Sequence, residues 1–540
     1  MDEIFDYIIV GGGSAGCVLA NRLSADPNNR VLLLEAGGAG RNPLYRVPLV
    51  AGKLFRRVYD DWHYQTEPED GLGGRSMDWP RGRMLGGCSM IAGMLYIRGH
   101  ARDYDHWAQL GNRGWSYRDV LPYFMRAEDH EGGADDFHGV GGELHVRRPR
   151  SDDPILAAYL EAGRQAGYPA TDDFNGKSQE GFGRYETNFR NGRRWSSARA
   201  FLDPARPRSK LTVRTRAHTT EILFDGNRAV GVAYRRRGAM HQVRAERQVV
   251  LSAGAVNSPQ ILMLSGIGPA AALETAGITV RHNLPGVGQD LQDHIDVSIL
   301  QACTQPVTIY RILALDRLVV ELTRTLLTGS GIASVFPQEA AAFIRSAADV
   351  DVPDLQVHIM PLLADRVRVR LPFAHWFDRD PVEGHGYAVR LSLLRPYSRG
   401  VIELASNDPF AKPLIKPNYL SDERDLAVMR RSVEIGRDIL AQDAFKEFDG
   451  GEIEPGANVT DAASTDTWIR RRATTQFHPT STCRMGRDPM AVVDDELRVI
   501  GVEGVSVADA SIMPTMIGGN TNAPTMMIGE KASELILARA

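Results

Sequence analysis

The 540-residue sequence predicts an α/β (α+β) fold, in which a Rossmann-like nucleotide-binding domain shares the chain with a discontinuous second domain built on an antiparallel sheet packed with helices. Three observations predict it. The apolar run Phe5 to Val10 stops at three glycines, Gly11 to Gly13, and is followed by helical periodicity from Cys17 to Ser24 and a second apolar run, Val31 to Glu35. That is the length and pattern of one βαβ unit with buried parallel strands. Strand-like alternation returns over 211–251 as a β-meander that rejoins the first domain, and between about 300 and 470 alternating strands are interspersed with helices.

In chain order, residues 1–150 form the first part of the nucleotide domain. Within them, 40–115 hold many Gly, Pro, Arg and Trp with little periodicity, the signature of ordered loops laid over a ligand. Residues 151–200 open the substrate domain, 201–300 return to the nucleotide domain, 301–470 complete the substrate domain, and 471–540 close the nucleotide domain. Strands are expected at 355–359, 386–394 and 400–404, and a helix at 423–441. The segment 364–386, with Trp376, Phe377 and clustered charges, reads as a lid or access loop.

Composition narrows the function classes. Hydrophobic residues are 43% and charged residues 24% of the chain, an ordinary globular balance. A net charge of -4 with no basic stripe gives nucleic-acid binding no support. Cys17, Cys88, Cys303 and Cys483 are widely separated, which argues against a disulfide framework and fits a reducing cytoplasm. Met1 to Glu3 lead straight into the first strand, so a secretory signal is not expected. The apolar stretch 318–333 is broken by Glu321, Arg324 and glycines, so no transmembrane segment is expected. His100 and His106, or His130, His138 and His145, lack ligand spacing, and no metal is expected. Ser14 and Ser265 do not fit a hydrolase nucleophile elbow. Oligomeric state is not legible.

Gly11, Gly13 and Gly16 are spaced as a dinucleotide-binding turn: a tight turn, a close backbone approach to pyrophosphate and close helix-strand packing. Glu35 ends the next strand 19 residues after Gly16, where an acid accepts from ribose hydroxyls and disfavours a 2'-phosphate, so FAD or NAD fits better than NADP.

Here the chain resembles the glucose-methanol-choline (GMC) oxidoreductases. The resemblance lies in DYIIVGGGSAGCVLANRLS with VLLLEAG, DWHYQTEP (61–68), GRMLGGCSMIAGMLYIRG (82–99), SAGAVNSPQILMLSGIG with GVGQDLQDH (286–294), and the block from FHPTSTCRMG (477–486) to VADASIMPTMIGGNTNAPTMMIGEKAS (507–533). The wording is closest to choline-dehydrogenase-like and primary-alcohol dehydrogenases and oxidases.

The resemblance implies FAD, held by Gly11, Gly13, Ser14, Ala15 and Gly16 with Glu35 and Ala36. It implies contacts from Trp62, Arg83, Gly86, Gly87, Cys88, Gly93, Met94, Leu95, Thr219, Ala253 and Gly254, with Asp509 and Ala510 at the pyrophosphate and Pro524 and Thr525 at the pyrimidine edge. Ile91 stands where some choline oxidases carry a flavin-linked histidine, so the FAD is expected to be non-covalent. Ala92 replaces the asparagine that most members place beside the flavin.

For catalysis the resemblance implies His478 and Asn522, 44 residues apart, with His478 taking the hydroxyl proton as hydride passes to flavin N5 and Asn522 steadying the alkoxide. The plain alternative for Asn522 is a turn or helix-capping residue. Phe477 and Phe336 are expected in the substrate pocket, and Glu339 at the position of an acid that faces trimethylammonium in choline-oxidising relatives. With only Phe336 near it, a cage for a quaternary ammonium is incomplete. The implied reaction is oxidation of a small primary alcohol, followed by reoxidation by oxygen or by a quinone or electron-transfer acceptor. Choline dehydrogenase and an aryl or furanic alcohol oxidase remain alternatives, and hydroxynitrile-lyase-like use of FAD without redox turnover is the rival from another class.

Overall fold

The computed structural model describes residues 3–50, 60–149, 151–363, 371–373 and 383–539. The two apolar runs form strands Glu3–Val10 and Val31–Glu35, joined by helix Ser14–Leu23. Both are apolar on both faces, which suits a parallel sheet covered on both sides. Tyr7 to Val10 pair in parallel with Val31 to Leu34 on one side and with Gln248 to Leu251 on the other.

This sheet runs Leu211–Thr215, Val31–Glu35, Glu3–Val10, Ala239–Leu251, Arg228–Arg236, Ala217–Asp225. Strand Ala239–Leu251 serves two neighbourhoods. Its first half is antiparallel to Arg228–Arg236, and its end is parallel to Val505–Val507. The meander therefore holds three strands. Leu211–Thr215, which alternation alone had grouped with them, pairs in parallel with Val31–Glu35, and Arg216 at φ 55° separates it from the next strand.

A second sheet is antiparallel throughout, in the order Asp449–Glu454, Ile295–Cys303, Gly386–Leu393, Leu355–Met360, Ala340–Ile344, Gly181–Arg184, with Thr474–Thr475 paired to Ile295–Cys303. Side chains alternate between its faces. Val297, Ile299, Val389 and Leu391 belong to the face covered by helix Glu423–Leu440, where a Cβ on Gly436 would sit 2.8 Å from Ile299 Cδ1. The opposite face carries polar residues, among them Asp296, Ser298, His358, Arg390 and Ser392. That polar face is what positions the site.

Of the expected lid at 364–386, only 371–373 and 383–386 fall among the described residues. No helix among the described residues is long and apolar enough to cross a membrane. All four cysteines are free.

Folding also joins histidines that sequence spacing had set apart. His130 and His138 stack with ring centroids 4.0 Å apart, and Glu128, His130, His138 and Glu186 are all buried with ligand-type atoms within 4.8 Å of one another. Two guanidiniums already serve the carboxylates, Arg98 at 2.7 Å from Glu128 and Arg148 at 2.9 Å from Glu186, which makes this an ion-pair network. Burial alone would lower the pKa of His138, but its hydrogen bonds to Asp173 and Glu128 outweigh that and push it up to about 9. A histidine raised on folding contributes its full stability below the unfolded value of about 6.5 and loses it as pH rises through the folded one. Thermal unfolding from pH 6 to 9.5 checks this: Tm should fall by several degrees over that range in the wild type and far less in His138→Gln. Parallel curves for the two proteins would contradict it.

Candidate active site

The glycine turn has the geometry its spacing predicts. Gly11 sits at φ 101°, and a Cβ there would lie 2.4 Å from the Ser252 carbonyl oxygen. A Cβ on Gly16 would lie 1.9 Å from the Gly11 carbonyl oxygen, the close helix-strand contact only glycine permits, whereas one on Gly13 meets nothing nearer than 3.9 Å. The open approach is therefore at Gly13. The Glu35 carboxylate accepts from Gly12 N–H at 2.9 Å and Gly37 N–H at 2.7 Å, which fixes its orientation, and burial raises its pKa.

A cavity of about 680 Å3 runs from this turn to the polar face of the second sheet. Its wall includes Gly11, Gly13, Ser14, Ala15, Glu35 and Ala36 at the turn, then Trp62, Thr219, Ala253 and Gly254. Gly87, Cys88, Ile91, Ala92, Gly93, Met94 and Leu95 follow, with Asp509, Ala510 and Thr525. Phe336, Phe477, His478 and Asn522 complete the expected set.

Five expected residues lie off the wall. Gly16 and Gly86 are packing positions, with Gly86 N–H donating to the Gly12 carbonyl at 2.7 Å. Pro524 lies in the first turn of helix Asn522–Leu537, and the Arg83 guanidinium is stacked 4.6 Å from the Trp62 ring centre. Glu339 does not face the cavity. It is buried away from the cavity, accepting from Ser151 N–H at 3.1 Å and from Arg184 at 3.5 Å, while its neighbour Gln338 lines the wall. Adjacent residues of an extended chain point to opposite sides, so one position of register decides which of the two faces substrate.

His478 follows the strained Phe477, at φ 64°, a conformation that needs external support in a non-glycine residue. The support is visible: Phe477 N–H donates to Thr475 Oγ1 at 2.7 Å, and Arg81 donates to the Phe477 carbonyl at 2.6 Å. Buried Asp293 accepts from His478 N–H at 2.7 Å and from the hydroxyls of Thr475 and Tyr419 at 2.5 Å each. Burial pushes its carboxyl up to about 6 against those hydrogen bonds.

The hydrogen bonds also decide which imidazole nitrogen of His478 is free. His294 Nε2 lies 3.0 Å from the Leu394 carbonyl oxygen, which only accepts, so this nitrogen carries the proton. Burial holds His294 down at about 4, so it is neutral and its Nδ1 is an acceptor. His478 Nδ1, 3.0 Å away, must then donate, leaving the lone pair of His478 on Nε2. Asn520 Nδ2 points at that Nε2 from 3.3 Å, and Gln356 fixes the amide by donating to Asn520 Oδ1 at 3.1 Å. Asn522 begins the last helix, and its Oδ1 accepts from Ser14 Oγ at 2.8 Å, which leaves its N–H groups as donors. Asn520, Asp293 and His294 were missed as functional residues in the sequence, although all three lie inside quoted motifs.

His358 lines the same region. Gln356 donates to Tyr185 Oη at 2.7 Å, and that hydroxyl in turn lies 2.7 Å from His358 Nδ1. Burial lowers the pKa of His358 and of His478 well below the usual histidine range, reinforced by neighbouring positive groups that include Arg390 for both. The arrangement offers one unprotonated nitrogen surrounded by N–H donors, which is suited to taking a proton and stabilising the oxyanion left behind.

Two family models described as GMC oxidoreductase match residues 5–296 and 396–529. The chain belongs to the GMC oxidoreductase family. It is 46% identical to an oxygen-dependent choline dehydrogenase of Brucella ovis over 99% of this chain and 96% of that protein. With the mitochondrial choline dehydrogenase of Homo sapiens the identity is 44%, over 98% of this chain and 89% of the relative. The solved structure of pyridoxine 4-oxidase from Mesorbium loti superposes with a TM-score of 0.87 at 33% identity, covering 98% of each chain.

Membership makes the chain an FAD-dependent oxidoreductase of CH–OH donors, and the cavity fits that cofactor. Gly13 leaves its backbone open to a diphosphate, and the first turns of helices Ser14–Leu23 and Asn522–Leu537 both contribute to the wall, an arrangement that favours anions. Thr219 Oγ1 is buried on the wall with no partner among the described residues, as expected of a group whose partner is the ligand.

Two outcomes follow from the imidazole pair. His294→Leu removes the acceptor for His478 Nδ1–H and should slow flavin reduction about 10- to 100-fold, the range seen when a residue that orients a working histidine is lost. His294→Gln, which offers an amide oxygen, should recover part of the rate in stopped-flow traces. Because His478 is held neutral, kcat/KM should stay level from pH 6.5 to 8.5 and fall only in more acid solution as His478 protonates. An inflection at or above pH 7 would contradict that reading.

Proposed function

We propose that this chain oxidises a small primary alcohol to the aldehyde, with His478 Nε2 taking the hydroxyl proton. The observation that carries it is the fixed tautomer: the Leu394 carbonyl and His294 leave one lone pair, on the cavity-side nitrogen of His478. Asn522 supplies N–H donors that hold the substrate oxygen and steady the alkoxide as the proton leaves, while Asn520 Nδ2 donates to His478 Nε2 until the substrate hydroxyl takes its place. Burial keeps His478 unprotonated at neutral pH, so it meets substrate ready to accept. FAD held along the wall by the glycine turn and Thr219 would supply the hydride acceptor, with oxygen or a quinone or electron-transfer partner as the final oxidant. Ile91, on the wall where some choline oxidases carry a flavin-linked histidine, has no nucleophile for attachment, which supports a non-covalent flavin.

The relatives' names favour choline as a second reading. Against it, Glu339 is turned away, and Phe336 and Phe477 are the only aromatic side chains that the described residues place on the wall beyond Trp62. Two rings do not make a cage for trimethylammonium.

Anaerobic mixing of the purified yellow protein with choline and with aliphatic, benzylic and furanic alcohols, with and without a carboxylate, tests the reading. Bleaching with at least one is expected, and His478→Ala should slow it at least about 100-fold, the usual scale of general-base loss. Absence of bleaching with every alcohol would remove oxidation of alcohols from the account. Recolouring in air identifies oxygen as the acceptor, and stable reduction points to a quinone or an electron-transfer protein. Acid precipitation should release the flavin into solution; colour retained in the pellet would contradict non-covalent binding.

A further inference from the structure

Register in the second sheet places Arg390 between Ser298 and His358, on the polar face that closes the cavity. Its guanidinium is paired with Asp296, two residues before Ser298 on the same face. The partners are not equally placed. The Asp296 side chain is 0% exposed and off the wall, whereas that of Arg390 is 21% exposed and on it. The pair therefore turns its positive end to the substrate and keeps its negative end in the sheet.

The rest of the wall has the same sign. Apart from Glu35 at the ribose position and Asp509 at the pyrophosphate position, its acids among the described residues are Asp78 and Glu454, and Glu454 is bridged to Arg472. Arg75, Arg81 and Arg471 add further positive charge. Arg390 is also among the groups that hold both His358 and His478 in the neutral form, so its field reaches the reacting region. In a cavity of low dielectric, a fixed ammonium group meets like charge here, and a carboxylate meets a planar fork of donors that matches it.

We propose that Arg390 makes this site selective for alcohols carrying an anionic group, a carboxylate above all, over alcohols carrying a quaternary ammonium. The proposal rests on the alcohol-oxidising reading of the same cavity and names the substrate class for it. Asp296 holds the guanidinium in place, and the substrate carboxylate docks on its cavity side while the carbinol end lies toward His478.

Ligands without an oxidisable hydroxyl separate this proposal from the reading beneath it. Benzoate and benzyltrimethylammonium, of similar size and opposite charge, are titrated into the oxidised holoenzyme at low ionic strength, with binding read from the perturbed flavin spectrum. Benzoate should bind at least about 10-fold more tightly, and added salt should weaken it. The double variant Asp296→Asn/Arg390→Met, which leaves no buried carboxylate without a partner, should bring the two affinities together while retaining FAD. Equal binding, or tighter binding of benzyltrimethylammonium, in the wild type overturns the proposal. A preference for benzoate that survives in the double variant removes Arg390 from the role and overturns it as well. Failure of 4-(hydroxymethyl)benzoate and of uncharged benzyl alcohol alike to bleach the flavin counts against the oxidation reading, while the two affinities still decide the charge selectivity of the cavity.

Discussion

The contact on which the site depends is the one between helix Asn522–Leu537 and helix Ser14–Leu23. They approach so closely that a Cβ on Gly529 would lie 2.9 Å from the Ala15 carbonyl oxygen. Glu530, fully buried, locks the pair through Arg22 and ties in helix Tyr117–Ala127 through Arg126, each at 2.7 Å. The buried charge is that of Glu530, so losing both guanidiniums would strand a carboxylate in the interior. This packing brings the start of the C-terminal helix to the start of the first one. Ser14 then reaches Asn522 across 508 residues of sequence, and the glycine turn and His478 share one cavity.

What was legible in the sequence was local. Gly11, Gly13, Gly16 and Glu35 declare themselves because a tight turn, a close helix contact and an acid that accepts from the backbone N–H groups of Gly12 and Gly37 each demand one residue type at short spacing. The parallel strands announce themselves by being apolar on both faces. His478 and Asn522 were found through family motifs, since nothing in their spacing of 44 residues encodes proximity.

The illegible part consists of long-range pairings that leave no local trace. The Leu394 carbonyl that sets the tautomer of His294 is a backbone group, and any residue there would supply it. Asn520 differs from Asn522 only by its place before the helix begins. Glu339 shows how narrow the margin is: sequence can nominate an acid near the pocket, but the parity of the extended chain hands the wall to Gln338. Leu211–Thr215 shows a related limit, because alternation reveals a strand without revealing its partner. His130 and His138 were dismissed on spacing and are joined by the fold within an ion-pair network.

These long-range pairings give the site its chemistry. An apolar sheet face packs on helices, and the same strands turn polar groups inward, so the cavity combines burial with a dense set of directed hydrogen bonds. Burial keeps the imidazoles neutral, and the hydrogen bonds decide which nitrogen is free to act. The central claim is that His478 presents an unprotonated Nε2 to the substrate. Neutron crystallography of the deuterated holoenzyme at neutral pH tests it most directly. The account predicts deuterium on His478 Nδ1 and on His294 Nε2, with none on His478 Nε2; deuterium on His478 Nε2 would contradict it.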